Sequence, residues 1–337
     1  MFRRIIAAVL ILAAATALLI TAWPQLFGMQ YLPIVAQVIA LRAVAAGVAA
    51  GLLVIVLVLV LAVRPFRRLG AAFAVMLLAF IAVTGAVLAT RGYGEGPLAD
   101  KQDGDLTVLA WNTLGDVPGA RAIADLALST GADIVSLPET TEETAIEVAV
   151  LMKEEGRPMW VNHIAFDQIS KARSTSLLTS VDLGEYSIDV EAGSTSVVPT
   201  IVATPDDGTG PTIIAAHPVA PIPDYLDSWR ADLEWLRGAC TGDDIIVAGD
   251  LNSTIDHYGR LANTPGATIG DCVDAAAATG SAAVGTWPAD IPSALGAPID
   301  HVMATPNWTA RSVEVIRSVD DLGSDHRPIV ARLTLTE

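Results

Sequence analysis

Three stretches of the chain contain no charged residue: 5–22 (IIAAVLILAAATALLITA), 43–63 (AVAAGVAAGLLVIVLVLVLAV) and 69–90 (LGAAFAVMLLAFIAVTGAVLAT). Each approaches the roughly 20 apolar residues that a helix needs to cross a hydrocarbon core. Three such runs exclude an ordinary soluble helical domain, where so long a gap between charges is rare. The first run also lacks a clear small-residue cleavage site before the loop that follows, which argues against a removed leader. Basic residues are missing from AWPQLFGMQYLP, between the first two runs, whereas Arg3 and Arg4 precede the first and Arg64, Arg67 and Arg68 separate the second from the third. That asymmetry places the N-terminus and the RPFRR loop in the cytoplasm and everything after about residue 91 on the outer side, with Arg91 a single contrary charge. Arg42 marks the start of the second span, from which a side chain can reach the headgroups. Trp23 and Tyr31 suit the outer interface, and 30–40 suits a segment lying along it.

Cysteine is scarce. Cys240 and Cys272 are the two in the chain, too few and too isolated for a zinc framework. An outer, oxidising compartment would let them pair; two unrelated buried thiols are the alternative reading. Positive charge is scarce as well. The chain carries a formal net charge of −17, and from Asp105 onward acids clearly outnumber bases. A surface of that sign repels polyanions unless a local patch compensates. Lys171 and Arg173 are either such a patch or ordinary surface charges. Beyond the Gly-rich, polar linker at 91–104 (RGYGEGPLADKQDG) there is no second low-complexity break and no evident repeat. The expected organisation is a three-helix membrane anchor over 1–90, the linker over 91–104, and one domain over 105–337.

In that domain, strand-like and helix-like segments alternate. LTVLAW, DIVSLPE, STSLLTS, SVVPTIVAT, PTIIAAH, DIIVAGD, PIDHVMAT and PIVARLTL read as strands. AIADLALST reads as a helix ending at Gly131, Thr141–Glu155 as a helix whose opening acids suit its dipole, and YLDSWRADLEWLRG as an amphipathic helix. The apolar runs at 106–111, 134–138, 213–217 and 245–249 are buried on both faces, so a layered α/β sandwich flanked by helices is expected.

Six of these strands, or their flanking turns, finish on a polar side chain. LTVLAWNT ends on Asn112, DIVSLPET on Glu139 and PTIIAAHP on His217. IIVAGDLN ends on Asp250 and Asn252, PIDHV carries Asp300, and GSDHRP carries Asp325 and His326. Any one alone reads as a turn residue, an exposed acid or a hydrogen-bonded structural histidine. Alternation along a strand would aim Asp250 and Asn252 at the same side.

In that order, with Gly-Asp-x-Asn at 249–252 and Ser-Asp-His-Arg-Pro at 324–328, the series resembles the endonuclease/exonuclease/phosphatase superfamily. Its members include DNase I-like nucleases, apurinic endonucleases, neutral sphingomyelinases and inositol polyphosphate 5-phosphatases. The resemblance covers about residues 105–335 and implies a four-layered α/β sandwich and metal-dependent phosphoester hydrolysis. It implies that Glu139 ligates Mg²⁺, a hard cation that prefers oxygen donors, with Mn²⁺ or Ca²⁺ as alternatives, and that Asn112 and Asp325 complete or position that shell. It implies that Asp250 orients or deprotonates water, that Asn252 binds a phosphate oxygen, and that His326 contacts the phosphoryl group while Asp300 holds its far ring nitrogen. His217 matches the histidine of the nuclease and sphingomyelinase branches, a general acid or oxyanion donor. The tyrosine segment of the apurinic-endonuclease branch is not found, and the basic loops of DNA-binding members are absent.

The whole layout also resembles the teicoplanin/vancomycin-resistance membrane proteins of actinobacteria. The expectation is a membrane-anchored enzyme of the plasma membrane, with its domain on the outer side, acting on a lipid or lipid-linked phosphate and with no protein partner implied. Nucleic acid is the less favoured substrate. A tethered extracellular nuclease and a non-catalytic binding protein on the same fold are the alternatives.

Overall fold

The computed structural model describes residues 2–94, 96–167 and 169–336; Met1, Glu95, Gln168, Glu337 and the side chain of Arg3 lie outside the described residues. The chain divides into two compact units, one ending at Arg91 and one beginning at Gly92.

The first unit contains α1 (Phe2–Ala22), α2 (Val35–Ala40), α3 (Arg42–Ala62) and α4 (Arg67–Arg91). Three helical stretches are long and apolar enough to cross a membrane: 4–22, 42–62 and 64–91, with mean hydropathies of 2.7, 3.1 and 2.5. Their small shared core is Ala49, Leu77 and Phe80, with Leu18, Leu53 and Val56 packed against it. Leu12, Val54 and Leu61 point outward. Helices that are apolar on the exposed face as well as the buried one suit a hydrocarbon environment. The side chain of Arg42 departs from expectation. It is buried rather than extended outward, and its guanidinium donates to the Ala22 carbonyl at 3.3 Å. The C-terminal turn of a helix leaves carbonyls without partners, and a cation there answers both the missing hydrogen bonds and the dipole.

The second unit is a sandwich of two six-stranded sheets. Its strands are β1 (Asp105–Ala110), β2 (Ile134–Pro138), β3 (Met159–Ala165), β4 (Ser174–Ser180), β5 (Tyr186–Ile188), β6 (Ile201–Pro205), β7 (Thr212–Ala216), β8 (Ile245–Asp250), β9 (Val273–Asp274), β10 (Asp300–Ala304), β11 (Trp308–Val315) and β12 (Ile329–Leu335). Its helices are α5 (Gly119–Thr130), α6 (Glu142–Glu154), α7 (Leu226–Ala239) and α8 (Ala275–Thr279). The first sheet runs β11-β12-β1-β2-β4-β3 and the second β5-β6-β7-β8-β10-β9. Each contains one parallel pair at its centre, β1 with β2 and β7 with β8; the other neighbours are antiparallel.

Strand alternation builds the layers. Val108 and Ala110 of β1, Ile134 of β2, Ile213 and Ala215 of β7, Ile246 and Ala248 of β8 and Ile329 and Ala331 of β12 meet between the sheets. The intervening Leu109, Trp111, Val135, Leu137 and Val330 face α5 and α6 instead, packing on Ile123, Ala127, Val148 and Met152. On α7, Leu226, Trp229, Leu233 and Leu236 turn inward, giving the fourth layer. Such two-sided burial is why the central strands read as continuous apolar runs.

Helix ends follow their local chemistry. Thr141 caps α6 by accepting from the Thr144 amide. Gly131 ends α5 at φ 66°, and the Ala132 amide folds back to the Ala127 carbonyl at 2.9 Å, as a left-handed C-terminal turn does. SVVPTIVAT is a strand only from Ile201 onward; Pro199, lacking an N–H, sits in the loop before it. The described residues of 92–104 include no helix or strand, yet they are strapped to the rest of the second unit. The Gly94 amide meets the Gly280 carbonyl at 2.9 Å, the Leu98 amide meets Glu314 at 2.9 Å and the Ala99 amide meets Ser312 at 3.0 Å.

Cys240 and Cys272 form a disulfide, with Cα atoms 5.9 Å apart and 32 residues of sequence separation. Closing a loop of that length removes roughly 3–4 kcal/mol of unfolded-chain entropy in the loop-closure account. The full chain, denatured without reductant, should therefore titrate no thiol, and the double Cys→Ser variant should lose stability of that order. Two titratable thiols would contradict the pairing.

Candidate active site

The strands that finish on polar residues all finish at one end of the sandwich. Ala110 pairs with Ile329, Ala216 with Gly249, and Asp250 with Asp300. That register brings the ends of β1, β2, β7 and β8 together with the starts of β10 and β12, across both sheets.

Asn112 sits at the centre. Its Nδ2 donates to Glu139 Oε1 at 3.0 Å and to Asp250 Oδ2 at 3.0 Å. Its Oδ1 accepts from the Leu114 amide at 2.9 Å. Its carbonyl accepts from Ser324 Oγ at 2.7 Å. Asn112 thus ties two carboxylates from different sheets to each other with its amide nitrogen, while its side-chain oxygen serves the backbone.

Glu139 follows β2 with φ 57°. Its amide donates to the Ser174 carbonyl at 2.8 Å and its own carbonyl accepts from Thr113 Oγ1 at 3.0 Å. A non-glycine residue held in this region costs about 1–3 kcal/mol and persists only where the surroundings fix it. Burial pushes the Glu139 carboxyl up, Asn112 pulls it back, and the neighbouring Asp250 charge raises it further.

Asp250 and Asn252 do meet, but not through strand alternation. The strand ends at Asp250, and Asn252 turns back at φ 46°. Its amide donates to Asp250 Oδ1 at 2.9 Å, and its Nδ2 donates to Asp250 Oδ2 at 3.2 Å and to the Pro218 carbonyl at 3.0 Å. Gly249 is required for this approach: its φ is 152°, and a Cβ there would lie 2.0 Å from the Ala216 carbonyl oxygen of β7. Asp250 is 1% exposed, and burial raises its carboxyl.

His326 lies between two carboxylates. Its Nδ1 is 2.9 Å from Asp300 Oδ2, its Nε2 is 3.7 Å from Asp250 Oδ2 and 4.0 Å from Asp325 Oδ1. Burial works against its charge, but Asp300 and Asp250 outweigh burial and lift the imidazole to about 10. His217 behaves oppositely. Burial drives it down to about 4, so it is neutral beside Glu139 Oε1, 3.9 Å from its Nε2, and no ion pair forms. Its Nδ1 is buried without a partner.

Asp325 is held by a residue that no sequence pattern marked. Trp287 Nε1 donates to Asp325 Oδ2 at 3.0 Å, leaving Oδ1 without a partner. Arg327 pins the same region, reaching Asp320 through Nε at 3.0 Å and the carbonyls of Ala289 and Ile291 through Nη2 at 2.7 Å each. Trp111 Nε1 holds the His326 carbonyl at 2.9 Å. His301, beside Asp300, bridges Asp274 Oδ2 at 2.7 Å and the Ser253 carbonyl at 2.8 Å, fastening the loop that carries Asn252. Trp111, His301 and Arg327 all stood inside or beside the motif segments, but their partners lie up to 215 residues away in sequence.

A cation fits this donor set. Among the described residues, no Lys or Arg pairs with Glu139, Asp250, Asp300 or Asp325, and Oδ1 atoms of Asp300 and Asp325 are buried and unpartnered. Asp250, Asp300 and His326 also bring ligand-type atoms within 4.8 Å of one another. That trio is the weaker cradle: Nδ1 of His326 is committed to Asp300, and an imidazole protonated to about 10 offers no lone pair. Glu139 and Asp325 are the better donors. Lys171 and Arg173, read from sequence as either a local patch or ordinary surface charges, are engaged by Asp116 at 3.0 Å and Asp167 at 3.8 Å.

The model of the endonuclease/exonuclease/phosphatase family matches residues 109–326. The chain belongs to this family. Its members hydrolyse phosphoester bonds, and the matched span contains every residue of the site, from Asn112 to His326. Among solved structures, the fold is similar to an endonuclease/exonuclease/phosphatase from Beutenbergia cavernae, with 18% identity, a TM-score of 0.51, and coverage of 69% of this chain and 72% of that one. It is equally similar to a humanized D. rerio TDP2, with 17% identity, a TM-score of 0.51, and coverage of 69% and 100%. No curated protein matches the chain in sequence.

The two histidines predict opposite pH limbs in metal-chelated protein. His326 contributes stability that is complete below 6.5 and is lost as pH rises through about 10. His217 contributes stability that is complete above 6.5 and is lost as pH falls toward about 4. The chelated full chain in detergent should be most resistant to thermal unfolding near neutrality. His326→Gln should flatten the alkaline limb and His217→Gln the acid limb; an alkaline limb unchanged in His326→Gln would contradict the assignment.

Proposed function

We propose that this protein is a membrane-anchored, Mg²⁺-dependent phosphoester hydrolase with its site on the outer side of the plasma membrane, acting on a lipid-borne phosphate of the cell envelope. The observation that carries the reading is the site itself: Asn112, Glu139, His217, Asp250, Asn252, Asp300, Asp325 and His326 converge from both sheets in a chain that begins with three apolar helices. The disulfide supports an oxidising, outer compartment, as does the clustering of Arg3, Arg4, Arg64, Arg67 and Arg68 on the other side of the spans. The resemblance to actinobacterial teicoplanin/vancomycin-resistance membrane proteins supports an envelope substrate. The engagement of Lys171 and Arg173 by acids weighs against a nucleic-acid polyanion.

In this mechanism Glu139 and Asp325 would hold the metal, and Asn112 ties Glu139 to Asp250. When bound, Mg²⁺ supplies charge that polarises the phosphoryl oxygen and offsets negative charge developing on it. Asp250, raised by burial, accepts a proton from the attacking water and orients it. Asn252 Nδ2 donates to a phosphate oxygen, exchanging part of its hydrogen bonding with Asp250. His326, kept cationic by Asp300, presents its Nε2–H to the phosphoryl group. His217, neutral and deeply buried, offers a donor on the Glu139 side, toward the developing oxyanion or leaving group.

Phosphate release by the full chain in detergent with Mg²⁺ tests the reading, against polyprenyl pyrophosphate, phospholipids, sphingomyelin and plasmid DNA. Turnover of a lipid should vanish with EDTA. It should fall by about 10²-fold or more in Asp250→Ala and His326→Ala, the scale of losing one acid–base group. Full activity in either variant would sink the assigned roles. Cleavage of DNA alone would replace the lipid reading with a tethered nuclease.

A further inference from the structure

The second unit exposes its large apolar side chains unevenly. Ile169 is 93% exposed and Val190 81%, with Val117 at 52% and Ile222 at 46%. Leu295 and Leu322 are exposed as well. They lie on six loops, with described residues 113–118, 166–167 and 169–173, 189–200, 217–225, 285–299 and 316–328, and every one of these loops leaves the end of the sandwich that holds the site. Strand register fixes this: Ala165 pairs with Ser174 and Ile188 with Ala203, so Ile169 and Val190 project from the same end as Ala110 and Ala216. At the opposite end, the turns at 131–133, 155–158, 181–185, 206–211, 241–244 and 305–307 carry no exposed large apolar side chain among the described residues. Leu335, the last residue of β12, and Trp160, the second of β3, are the exceptions there.

The six loops are joined to one another. A Cβ on Gly115 would lie 3.3 Å from Lys171, and one on Gly323 would lie 2.7 Å from Val117. Arg173 donates to the Val197 carbonyl at 3.1 Å. Asp232 accepts from the Ser196 amide at 2.8 Å and from the Val219 amide at 3.1 Å. Arg327 holds Ile291 at 2.7 Å. The apolar side chains therefore stand on a continuous collar around a recessed polar site. Two of its cations are paired with acids, Lys171 with Asp116 and Arg173 with Asp167.

Exposed apolar side chains gathered on one face mark an interaction site. A recessed site whose rim carries exposed apolar side chains suits the boundary between headgroups and acyl chains, where apolar side chains gain from burial while the polar centre stays at headgroup depth. The chain supplies the bilayer itself, through three helices able to cross one. We infer that this collar is an interfacial lipid-docking surface, with Ile169 and Val190 as its leading insertions, and that the enzyme takes its phosphate from a lipid while seated on the membrane. The substrate part of the inference rests on the function proposed above; the docking part does not.

The test uses the full chain in nanodiscs of equal parts phosphatidylglycerol and phosphatidylcholine. With Cys240 and Cys272 paired, a cysteine introduced as Ile169→Cys or Val190→Cys takes a nitroxide label uniquely, with Thr209→Cys, in an exposed turn at the other end, as reference. Labels at Ile169 and Val190 should collide more with oxygen, and about tenfold less with a water-soluble nickel complex, than the label at Thr209, because the acyl boundary excludes the ion. Equal nickel access at all three sites would overturn the docking surface. Dipolar broadening between labels, marking a face between two copies, would overturn it too. An Ile169→Asp/Val190→Asp variant should lose about tenfold of its turnover on lipid phosphate while keeping turnover of p-nitrophenyl phosphate, since charge opposes interfacial insertion; equal loss on both would overturn the link to substrate capture. Should the wild type release phosphate from nothing, the function falls while the label depths still decide the surface.

Discussion

Asp250 and Asp300 stand directly opposite each other in the ladder between β8 and β10, both almost wholly buried. Two carboxylates in that relation repel, and each has lost the water that would screen it. A cation must lie between them for the fold to close. His326 is that cation: its Nδ1 pairs with Asp300 and its Nε2 faces Asp250. The requirement propagates outward. His326 enters from the loop before β12, so that loop must be held, and Trp111, Ser324 and Arg327 hold it through the His326 carbonyl, the Asn112 carbonyl and the 285–291 backbone. The residues that make the sandwich close at this end are the residues with which a phosphate would be handled.

The two sheets contribute equivalent parts. Each has a central parallel pair flanked by antiparallel strands, in the same sequence of pairings. Under that equivalence β1 corresponds to β8, β2 to β7 and β12 to β10. Asn112 then corresponds to Asp250, Glu139 to His217 and His326 to Asp300. Corresponding members meet across the seam: Asn112 donates to Asp250, His217 lies beside Glu139, and His326 pairs with Asp300. A site made at the seam of two sheets inherits its precision from the core between them, where Val108, Ile134, Ile246 and Ile329 fix the separation.

The strand ends were legible because a run such as IIVAG cannot absorb Asp250 into its core, so a polar residue at its close must point at something. The four layers were legible for the same reason, since central strands covered on both faces lose their alternation. Strands β3, β5, β9 and β11 were not legible: they sit at or next to the sheet edges, are short or half-exposed, and mix polar with apolar residues. The convergence of Asp250 and Asn252 was read correctly with the wrong cause, because a left-handed turn at Asn252 replaces the strand geometry that alternation assumes. Trp287, His301 and Arg327 escaped notice since nothing local distinguishes a tryptophan that holds a carboxylate from one that fills a core. Their roles exist only in contacts such as Trp287 with Asp325, 38 residues apart.

The loop after Asp250 shows how a costly local geometry is sustained. Asn252 occupies a backbone region that disfavours side chains, and Ser253 and Thr254 follow it into a fully buried turn. Left to itself, such a segment would relax, with the strain released at the expense of the site. It is fixed at successive points instead. Asp250 takes the Asn252 amide, His301 takes the Ser253 carbonyl, and the Thr254 amide donates to His257 Nδ1 at 2.8 Å. Further along, the Gly270 amide meets the Leu261 carbonyl and the Asp271 amide meets the Cys240 carbonyl. The disulfide to Cys240 then closes the segment onto the end of α7. His301 is the central fastening, because it joins the loop to Asp274, which also caps α8. Both of its ring nitrogens face acceptors, Asp274 Oδ2 and the Ser253 carbonyl; burial works against its charge, and Asp274 outweighs burial and raises its pKa. The geometry at Asn252 is thus held by the buried His301–Asp274 contact behind the site, and the disulfide limits how far the rest of the loop can depart from it.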